Sequence, residues 1–214
     1  MISFKHIIWD WNGTIVDDAH LCIQSLNVLL AKRDLEPIDL KRYSQEFRFP
    51  VQDFYIDLGF DFSQESYNDV AQEFIDYYHK YRFDCLLRKD VVRLLNIFKS
   101  LNITQSILSA YRQDFLNQAV QFFNLHKFFN KIDGLDNNHA CSKLDVGLKH
   151  IQSINIKPQN ILYIGDTNHD VEVANKMGVQ CILVESNHQS FARMKDSSAM
   201  VFANISDIIK YFNL

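Results

Sequence analysis

Five polar side chains stand just after apolar runs of strand length or at the start of a helical pattern. They are Asp10, Ser109, Lys143, Asp166 and Asp170. Three carboxylates gathered at one place repel one another and raise each other's pKa values unless a cation lies among them. A hard ion such as Mg²⁺ fits this set, because it takes one or two carboxylates and keeps its other positions for water and phosphate oxygens.

The two side chains that are not acidic suit a phosphate ligand. The hydroxyl of Ser109 and the ammonium group of Lys143 are hydrogen-bond donors for phosphate oxygens. Taken singly, each of the five residues has a simpler explanation, such as a turn, a strand end, a solvated charge or an acid at a helix start. Their order and placement together predict a site for phosphate and a metal ion.

The rest of the chain supplies the elements that would position this site. Apolar runs of strand length lie at 4–9, 103–109, 161–164, 181–184 and, more weakly, 200–203. Helical spacing of apolar residues fills the gaps at 90–98, 115–123, 144–154, 171–177 and 205–211, and Gly178 ends one of these patterns. The alternation predicts an α/β fold, a Rossmann-like parallel sheet with helices on both faces and an active site at the carboxyl ends of its strands.

Residues 17–86 interrupt the alternation. They contain helical patterns at 19–32 and 67–78, no evident strand, and 13 of the chain's 28 aromatic residues. We predict a helical cap domain at 17–86, inserted into a core domain of residues 1–16 and 87–214, with hinges at 15–18 and 84–89. Most of the aromatic residues are expected to fill the core of this small cap, and a few to line a ligand site.

Charge and composition exclude several classes of function. Residues 17–86 carry a net charge of −7 and the remainder +3, so nucleic acid is not an expected partner. No apolar run approaches the ~18 residues of a membrane span, and the first nine residues are too short for a signal peptide, so no membrane association and a cytoplasmic location are expected. The four widely spaced cysteines predict reduced thiols.

With these motifs the chain resembles the haloacid dehalogenase superfamily, and more narrowly its phosphoglycolate-phosphatase-like members, which carry a helical cap after the first motif. The first motif, Asp-x-Asp-Gly-Thr after an apolar strand, is present as DWNGT at residues 10–14. The second is a serine or threonine and the third a lysine, matched by Ser109 and Lys143. The fourth, Gly-Asp-x-x-x-Asp, is present as GDTNHD at residues 165–170.

The resemblance implies a hydrolase in which Asp10 attacks phosphorus and forms an aspartyl phosphate, with Mg²⁺ as cofactor. The implied ligands of the ion are Asp10, the backbone carbonyl of Asn12, Asp166 and Asp170. The implied catalytic residues are Asp10, Asn12, Ser109 and Lys143. The implied contacts to the substrate come from Gly13, Thr14, Ser109, Ala110 and Lys143.

Asn12 departs from the family pattern. In phosphatases of this superfamily an aspartate at this position protonates the leaving group and later deprotonates the attacking water. An amide does neither, and such acid and base catalysis contributes roughly 10²- to 10⁴-fold to the rate. The candidates for a replacement are Asp17, Asp18 and His20, which are otherwise typical residues of a helix start.

Arg48 lies among aromatic residues in the stretch QEFRFP at 45–50. In a cap domain this arginine is suited to binding a carboxylate or a second phosphate of a small substrate. The commoner arrangement of such an arginine packs its aliphatic stem on the neighbouring rings while its charged head stays in water.

We therefore expect a Mg²⁺-dependent phosphatase of a small phosphorylated metabolite, acting as a monomer or homodimer. The alternative from another class is a phosphate-ligand binder or sensor on the same fold with attenuated turnover, which Asn12 favours. Two other reactions of the superfamily are disfavoured. A dehalogenase would not use the Asp166 and Asp170 pair, and a phosphonatase would need a Schiff-base lysine from the cap, which offers only Lys32, Lys41 and Lys80.

Overall fold

The computed structural model describes residues 4–136 and 143–214. Within them eight strands occur in chain order: β1 His6–Trp9, β2 Val16–Asp17, β3 Leu86–Leu87, β4 Thr104–Arg112, β5 Lys131–Leu135, β6 Ile161–Gly165, β7 Gln180–Val184 and β8 Met200–Phe202. Six of them form one parallel sheet in the order β5-β4-β1-β6-β7-β8. The predicted Rossmann-like α/β fold is confirmed.

Ten α-helices are present in the described residues. They are α1 Ala19–Ala31, α2 Leu40–Glu46, α3 Val51–Asp57, α4 Tyr67–Tyr81, α5 Val91–Ser100, α6 Gln113–Phe122, α7 Leu144–Ser153, α8 Asn168–Met177, α9 Phe191–Lys195 and α10 Ile205–Tyr211. Gly178 ends α8 in the left-handed conformation, with φ at +72°, as the sequence predicted.

The central strands β1 and β6 are buried along their whole length because both faces of the sheet are covered. All four residues of β1 and all five of β6 are buried. Ile7 and Trp9 pack in one cluster with residues of α5, α6 and α10, whereas Ile8 packs in another with residues of α7 and α8. Such two-sided burial is typical of parallel sheets.

Two strand assignments differ from the prediction. The edge strand β5 was not predicted, because its sequence, KIDGL, interrupts two apolar residues with an aspartate and a glycine, and only Leu135 is buried. Strand β4 continues past Ser109 to Arg112, and its register against β5 shifts between Leu108 and Arg112. An edge strand pairs through its backbone on one side only, so it does not need the continuous apolar pattern of a central strand.

Residues 17–86, called here the helical segment, contain α1 to α4 and have an apolar cluster of their own. The buried members of that cluster include Leu26, Leu29, Phe54, Tyr55 and Val70. The expectation of no strand in this segment is wrong at its two borders, where β2 and β3 pair antiparallel. This two-stranded ribbon coincides with the predicted hinges. The division into two domains stays a prediction, which the ribbon and the separate cluster support.

Two further predictions concern the thiols and membranes. Cys22, Cys85 and Cys181 are free cysteines, and Cys141 lies outside the described residues. Over residues 4–136 and 143–214, none of the helices combines the length and the apolar character that crossing a bilayer requires.

Candidate active site

The carboxyl ends of β1 and β6, the last part of β4 and the start of α7 bring the five predicted polar residues to one place. Strand β1 lies between the other two strands, with Trp9 opposite Ile107 on one side and Ile164 on the other. The backbone N–H of Asp10 donates to the carbonyl of Ile164 at 2.9 Å, which continues the ladder past the strand end. The residues called here the polar floor all line one cavity: Asp10, Ser109, Lys143, Asp166 and Asp170.

Lys143 joins two carboxylates of the polar floor. It is the residue before the first turn of α7, and its ammonium group donates to Asp10 Oδ1 and, at 2.6 Å, to Asp170 Oδ1. Burial disfavours the charged lysine, but Asp10 and Asp170 outweigh this effect and hold the pKa of Lys143 above its ordinary value. Lys143 therefore stays a cation beneath the cavity.

Asp10 is almost fully buried among like charges. Burial raises the pKa of the Asp10 carboxyl well above its usual range, and the charges of Asp170 and Asp166 act in the same direction, against the effect of Lys143. One lysine does not balance three carboxylates. The site consequently has an excess of negative charge that a bound cation would neutralise.

Asp166 is held by two hydroxyl groups. Thr14 Oγ1 donates to Asp166 Oδ1 at 3.1 Å, and Ser186 Oγ donates to Asp166 Oδ2 at 2.5 Å. Burial raises the pKa of Asp166 to about 6, Asp170 adds to this, and His188 opposes it. Thr14 is fully buried, and it is not one of the described residues that line the cavity. Its hydroxyl contacts Asp166 and not the space in which a substrate would lie.

Asp170 is saturated with donors from its own turn. Its Oδ2 accepts from the backbone N–H groups of Asp166 and Thr167, at 3.1 and 2.9 Å, and from the Thr167 hydroxyl at 2.9 Å. Thr167 and Asp170 form a capping box at the start of α8. Burial would raise the pKa of Asp170, but Lys143 and these hydrogen bonds keep it below the ordinary value.

Gly13 is required by the close approach of the turn to the floor. Its φ is +73°, a conformation that other residues rarely adopt. A Cβ atom at this position would collide with the carboxylate of Asp166 and lie 2.6 Å from Cδ2 of His188. The motif glycine thus allows the first turn and the fourth motif to touch.

Asn12 is clamped by a residue that the sequence offered as its replacement. Its Nδ2 donates to Asp18 Oδ2 at 2.7 Å and to the Tyr78 hydroxyl at 2.9 Å. Asp18 is fully buried, whereas His20 is exposed and Asp17 belongs to β2. Of the three candidates, Asp18 is the one in contact with the side chain of Asn12.

Asp18 is also paired with a histidine from the other end of the chain. His188 Nε2 lies 3.1 Å from Asp18 Oδ1, and its Nδ1 lies 2.9 Å from the Tyr43 hydroxyl. Burial alone would raise the pKa of Asp18, but His188 and the hydrogen bonds from Asn12 and Tyr78 lower it to about 2. Burial would lower the pKa of His188, but Asp18 raises it to about 9. The two form a buried ion pair.

The donor set fits a hard divalent cation. One carboxylate oxygen from each of Asp10, Asp166 and Asp170 lies within 4.8 Å of the others, and all three residues are buried. Asp18, Cys22 and His188 form a second group of possible ligands. There the carboxylate of Asp18 already accepts from Asn12, Tyr78, His188 and the Gly13 N–H, so its charge is compensated by the protein.

The helical segment covers the polar floor and encloses a cavity of about 180 Å³. The part called here the aromatic wall consists of Tyr43, Phe47, Phe49, Phe54, Phe74 and Tyr78. Its rings pack on one another, with Tyr43 stacked on Phe47 at a centroid distance of 5.1 Å. Arg193 of α9 connects the core to the aromatic wall, because its Nη1 donates a hydrogen bond to the carbonyl of Phe47 at 2.8 Å.

Two residues expected to contact the substrate lie in different places. Ala110 lines the cavity beside Ser109, whose Oγ accepts from the Tyr111 N–H at 3.0 Å. Arg48 is not among the described lining residues; its guanidinium group pairs with Asp57 and is 41% exposed. The structure brings Ala110 to the site and leaves Arg48 on the surface.

The sequence analysis missed Ser186, His188, Tyr43 and Tyr78. A signal for the first two exists, because they follow β7 by two and four residues and the carboxyl end of that strand lies at the same edge as the others. The tyrosines carried no such signal. Their rings were assigned to packing, and the partners of their hydroxyl groups depend on the tertiary structure alone.

Comparison with known proteins agrees with this geometry. The family model for haloacid dehalogenase-like hydrolases matches residues 7–184, so the chain belongs to that family and is a hydrolase. It is 24% identical over 194 residues to a putative pyrophosphatase PpaX of Caldanaerobacter subterraneus, covering 88% of this chain and 85% of the relative. It is also 24% identical over 187 residues to a 5'-nucleotidase of Pseudomonas aeruginosa, covering 85% and 82%.

Solved structures support the fold. The crystal structure of a predicted phosphatase from Clostridium acetobutylicum superimposes with a TM-score of 0.83 at 23% identity, covering 98% of both chains. At this level of identity the likeness concerns the fold.

Proposed function

We propose that this hydrolase is a Mg²⁺-dependent phosphatase of a small phosphorylated metabolite, acting through a phosphorylated Asp10. The observation that carries the proposal is the polar floor, where Asp10 lies beside a buried lysine and two further buried carboxylates. A nucleophilic carboxylate, a fixed cation and an oxygen-rich metal site are what transfer of a phosphoryl group to an aspartate requires. The phosphate chemistry in the names of both relatives points the same way.

In the first step Asp10 attacks phosphorus, and the bond from phosphorus to the ester oxygen breaks. Lys143 attracts the phosphoryl oxygens and limits the repulsion between them and Asp10. The hydroxyl of Ser109 accepts from the Tyr111 N–H, so its own proton is directed to another acceptor. In the second step water attacks the same phosphorus and releases phosphate and Asp10.

Asp10, Asp166 and the backbone carbonyl of Asn12 would hold the metal ion. Asp170, whose Oδ1 meets Lys143 and whose Oδ2 accepts from the N–H groups of Asp166 and Thr167, would add its carboxylate to this set directly or through a water molecule. When bound, Mg²⁺ neutralises phosphate charge and draws the substrate toward an anionic nucleophile.

Among the described residues, the site lacks an evident general acid to protonate the leaving group. Asn12 has no proton to give, and its amide is fixed by Asp18 and Tyr78. Good leaving groups should therefore react much faster than poor ones. The same clamp favours a second candidate function, a phosphate-ligand binder or sensor that retains the metal site with slow turnover.

The other reactions of the superfamily receive less support. Lys32 pairs with Glu73 on the surface, and Lys41 and Lys80 are likewise outside the described lining of the cavity. A Schiff base at any of them would form away from the polar floor. A dehalogenase has no use for the Asp166 carboxylate beside its nucleophile.

The test is steady-state phosphate release from 4-nitrophenyl phosphate, with Mg²⁺ and with EDTA. We expect turnover by the natural protein only with Mg²⁺, and a loss of at least about 10³-fold in Asp10→Asn. Asn12→Asp should accelerate hydrolysis of an alkyl phosphate by roughly 10²-fold or more and leave the aryl rate less changed. Thermal melting of each variant shows whether it is folded.

Activity of Asp10→Asn equal to that of the natural protein would contradict the proposed nucleophile. If Asn12→Asp alone turns over the aryl ester, the natural protein is the phosphate-ligand binder of the second hypothesis.

A further inference from the structure

We propose that the ester group of the substrate is uncharged and apolar, with a size near that of one aromatic ring. This inference rests on the phosphatase function above and names its substrate class. The inference is based on two facing surfaces of the cavity. The polar floor is charged and would bind the phosphate, whereas the opposite surface is lined by rings and carries almost no charge.

The surface contributed by the helical segment is strongly apolar. Of its fourteen described residues that line the cavity, Asp18 is the only one with a carboxylate, and none is a lysine or arginine. Eight of the other thirteen are aromatic, including the six residues of the aromatic wall, and the remainder are aliphatic residues and one cysteine. Ligand pockets of this kind bind the apolar part of a ligand by contact and orient it with a few polar groups.

The cations near the cavity are already engaged. Lys143 is bound by Asp10 and Asp170, and His188, which also lines the cavity, is paired with Asp18. Arg112 lines the rim, but its Nε and Nη2 donate to the carboxylate of Asp114 at 2.6 and 2.8 Å. Arg48 is turned to Asp57 on the surface, and the sequence of residues 137–142, NNHACS, contains no lysine or arginine.

A leaving group with a second negative charge would therefore be poorly placed. Burying an ionised group without a partner is strongly unfavourable, and the net charge of −7 on the helical segment adds long-range repulsion. Carboxylate or phosphate on the ester side would meet rings instead of cations. An uncharged group would meet the surface it matches.

Size and polarity agree with this conclusion. The cavity of about 180 Å³ includes the space above the polar floor, and a dry cavity of roughly 150 Å³ already holds one benzene molecule, so the ester group has room for about one ring and no more. The Tyr111 hydroxyl, whose residue lines the cavity, has no hydrogen-bond partner in the described parts of the chain. It could satisfy one neutral polar atom of the ligand.

The experiment compares matched esters under saturating Mg²⁺. The probes are phenyl phosphate and 4-carboxyphenyl phosphate, which share a ring and differ by one carboxylate, together with phosphoglycolate and pyrophosphate. We expect kcat/KM for phenyl phosphate to exceed that for each of the other three by at least roughly tenfold. Binding of phenylphosphonate and 4-carboxyphenylphosphonate, measured by calorimetry, should show the same preference without any turnover.

A positive charge inserted beside the aromatic wall should remove the preference for the uncharged ester. Val51 lines the cavity, whereas Gln52 is exposed on the same helix. Val51→Arg should bring 4-carboxyphenyl phosphate to within about threefold of phenyl phosphate, while Gln52→Arg, the same charge on the outer face, should keep the original ratio. The comparison of esters on the natural protein stands even if Val51→Arg fails to fold.

Faster turnover or tighter binding of the carboxylated ring, phosphoglycolate or pyrophosphate would overturn the inference. If no ester is hydrolysed but phenylphosphonate still binds better than its carboxylated partner, the phosphatase function fails and the assignment of the ligand class stands.

Discussion

The two sides of the cavity are built on opposite principles. The polar floor buries charge and compensates it locally, with Lys143 between two carboxylates and hydroxyl groups on Asp166. The aromatic wall buries rings whose few polar atoms point to partners at its margin, such as Tyr43 to His188. The floor is suited to a reaction that is the same for every phosphate ester, whereas the wall is suited to choosing among them.

The difference also separates stability from chemistry. Residues of the floor are poorly solvated charges that destabilise the fold unless they are paired or bind a cation. Residues of the wall stabilise it through packing. Substitutions on the two sides should therefore differ in which measurement they change.

The largest effect should come from Lys143→Met. Activity toward 4-nitrophenyl phosphate should fall by roughly 10²- to 10³-fold, because the charge proposed to stabilise the transferring group is lost. The free energy of unfolding in urea should fall by about 3–5 kcal/mol, since Asp10 and Asp170 lose their buried partner. Lys149→Met, on the exposed face of the same helix, is the control. Equal losses in both variants would refute a special role for Lys143.

Phe54→Ala should mainly change stability. The ring is 1% exposed and packs at the centre of the helical segment. Removing a buried phenylalanine side chain lowers the free energy of unfolding by about 3–5 kcal/mol. Ile56→Ala, at a side chain that is 51% exposed on the same helix, should change it by less than about 0.5 kcal/mol. A small effect at Phe54 would mean that the wall is not a packed core.

The sheet also buries a neutral polar network, and this makes its stability depend on pH. His6 Nε2 lies 2.8 Å from Ser106 Oγ, which lies 2.7 Å from His150 Nε2. Burial lowers the pKa of His6 from 6.5 to about 4, and His150 acts in the same direction. Between pH 4 and pH 6.5 the imidazole of His6 is protonated in the unfolded chain and neutral in the folded chain. The stabilisation that comes from neutral His6 is therefore fully present above pH 6.5 and is lost as the pH falls toward 4.

The contribution of His6 across that range is about 3 kcal/mol. Urea unfolding at pH 4 and pH 7 measures it. His6→Gln should flatten the dependence, whereas His126→Gln, at an exposed position, should not. An unchanged slope in His6→Gln would show that His6 is not the source.

The smallest effect should come from Arg48→Ala. Its guanidinium pairs with Asp57 at the surface, and exposed pairs contribute little, so kcat/KM for phenyl phosphate should stay within roughly twofold. The melting temperature should not change measurably. A large rise in KM would instead support the expectation from sequence that Arg48 binds the substrate.

The sequence by itself determined the order of strands and helices around the floor. Continuous apolar runs define the central strands, and the motif residues follow them directly, so their convergence at one edge is a consequence of parallel pairing. The edge strand β5 was not predicted, because it lacks a continuous apolar run.

Only the tertiary structure decided what surrounds Asn12. Asp18, Tyr78 and His188 are separated from one another by 60 to 170 positions and meet through the packing of the helical segment on the sheet. The direction of Arg48 was decided in the same way, by a partner nine residues away on α3. The spacing of residues along the chain carries no information about such contacts. They depend on how different helices and strands pack against one another.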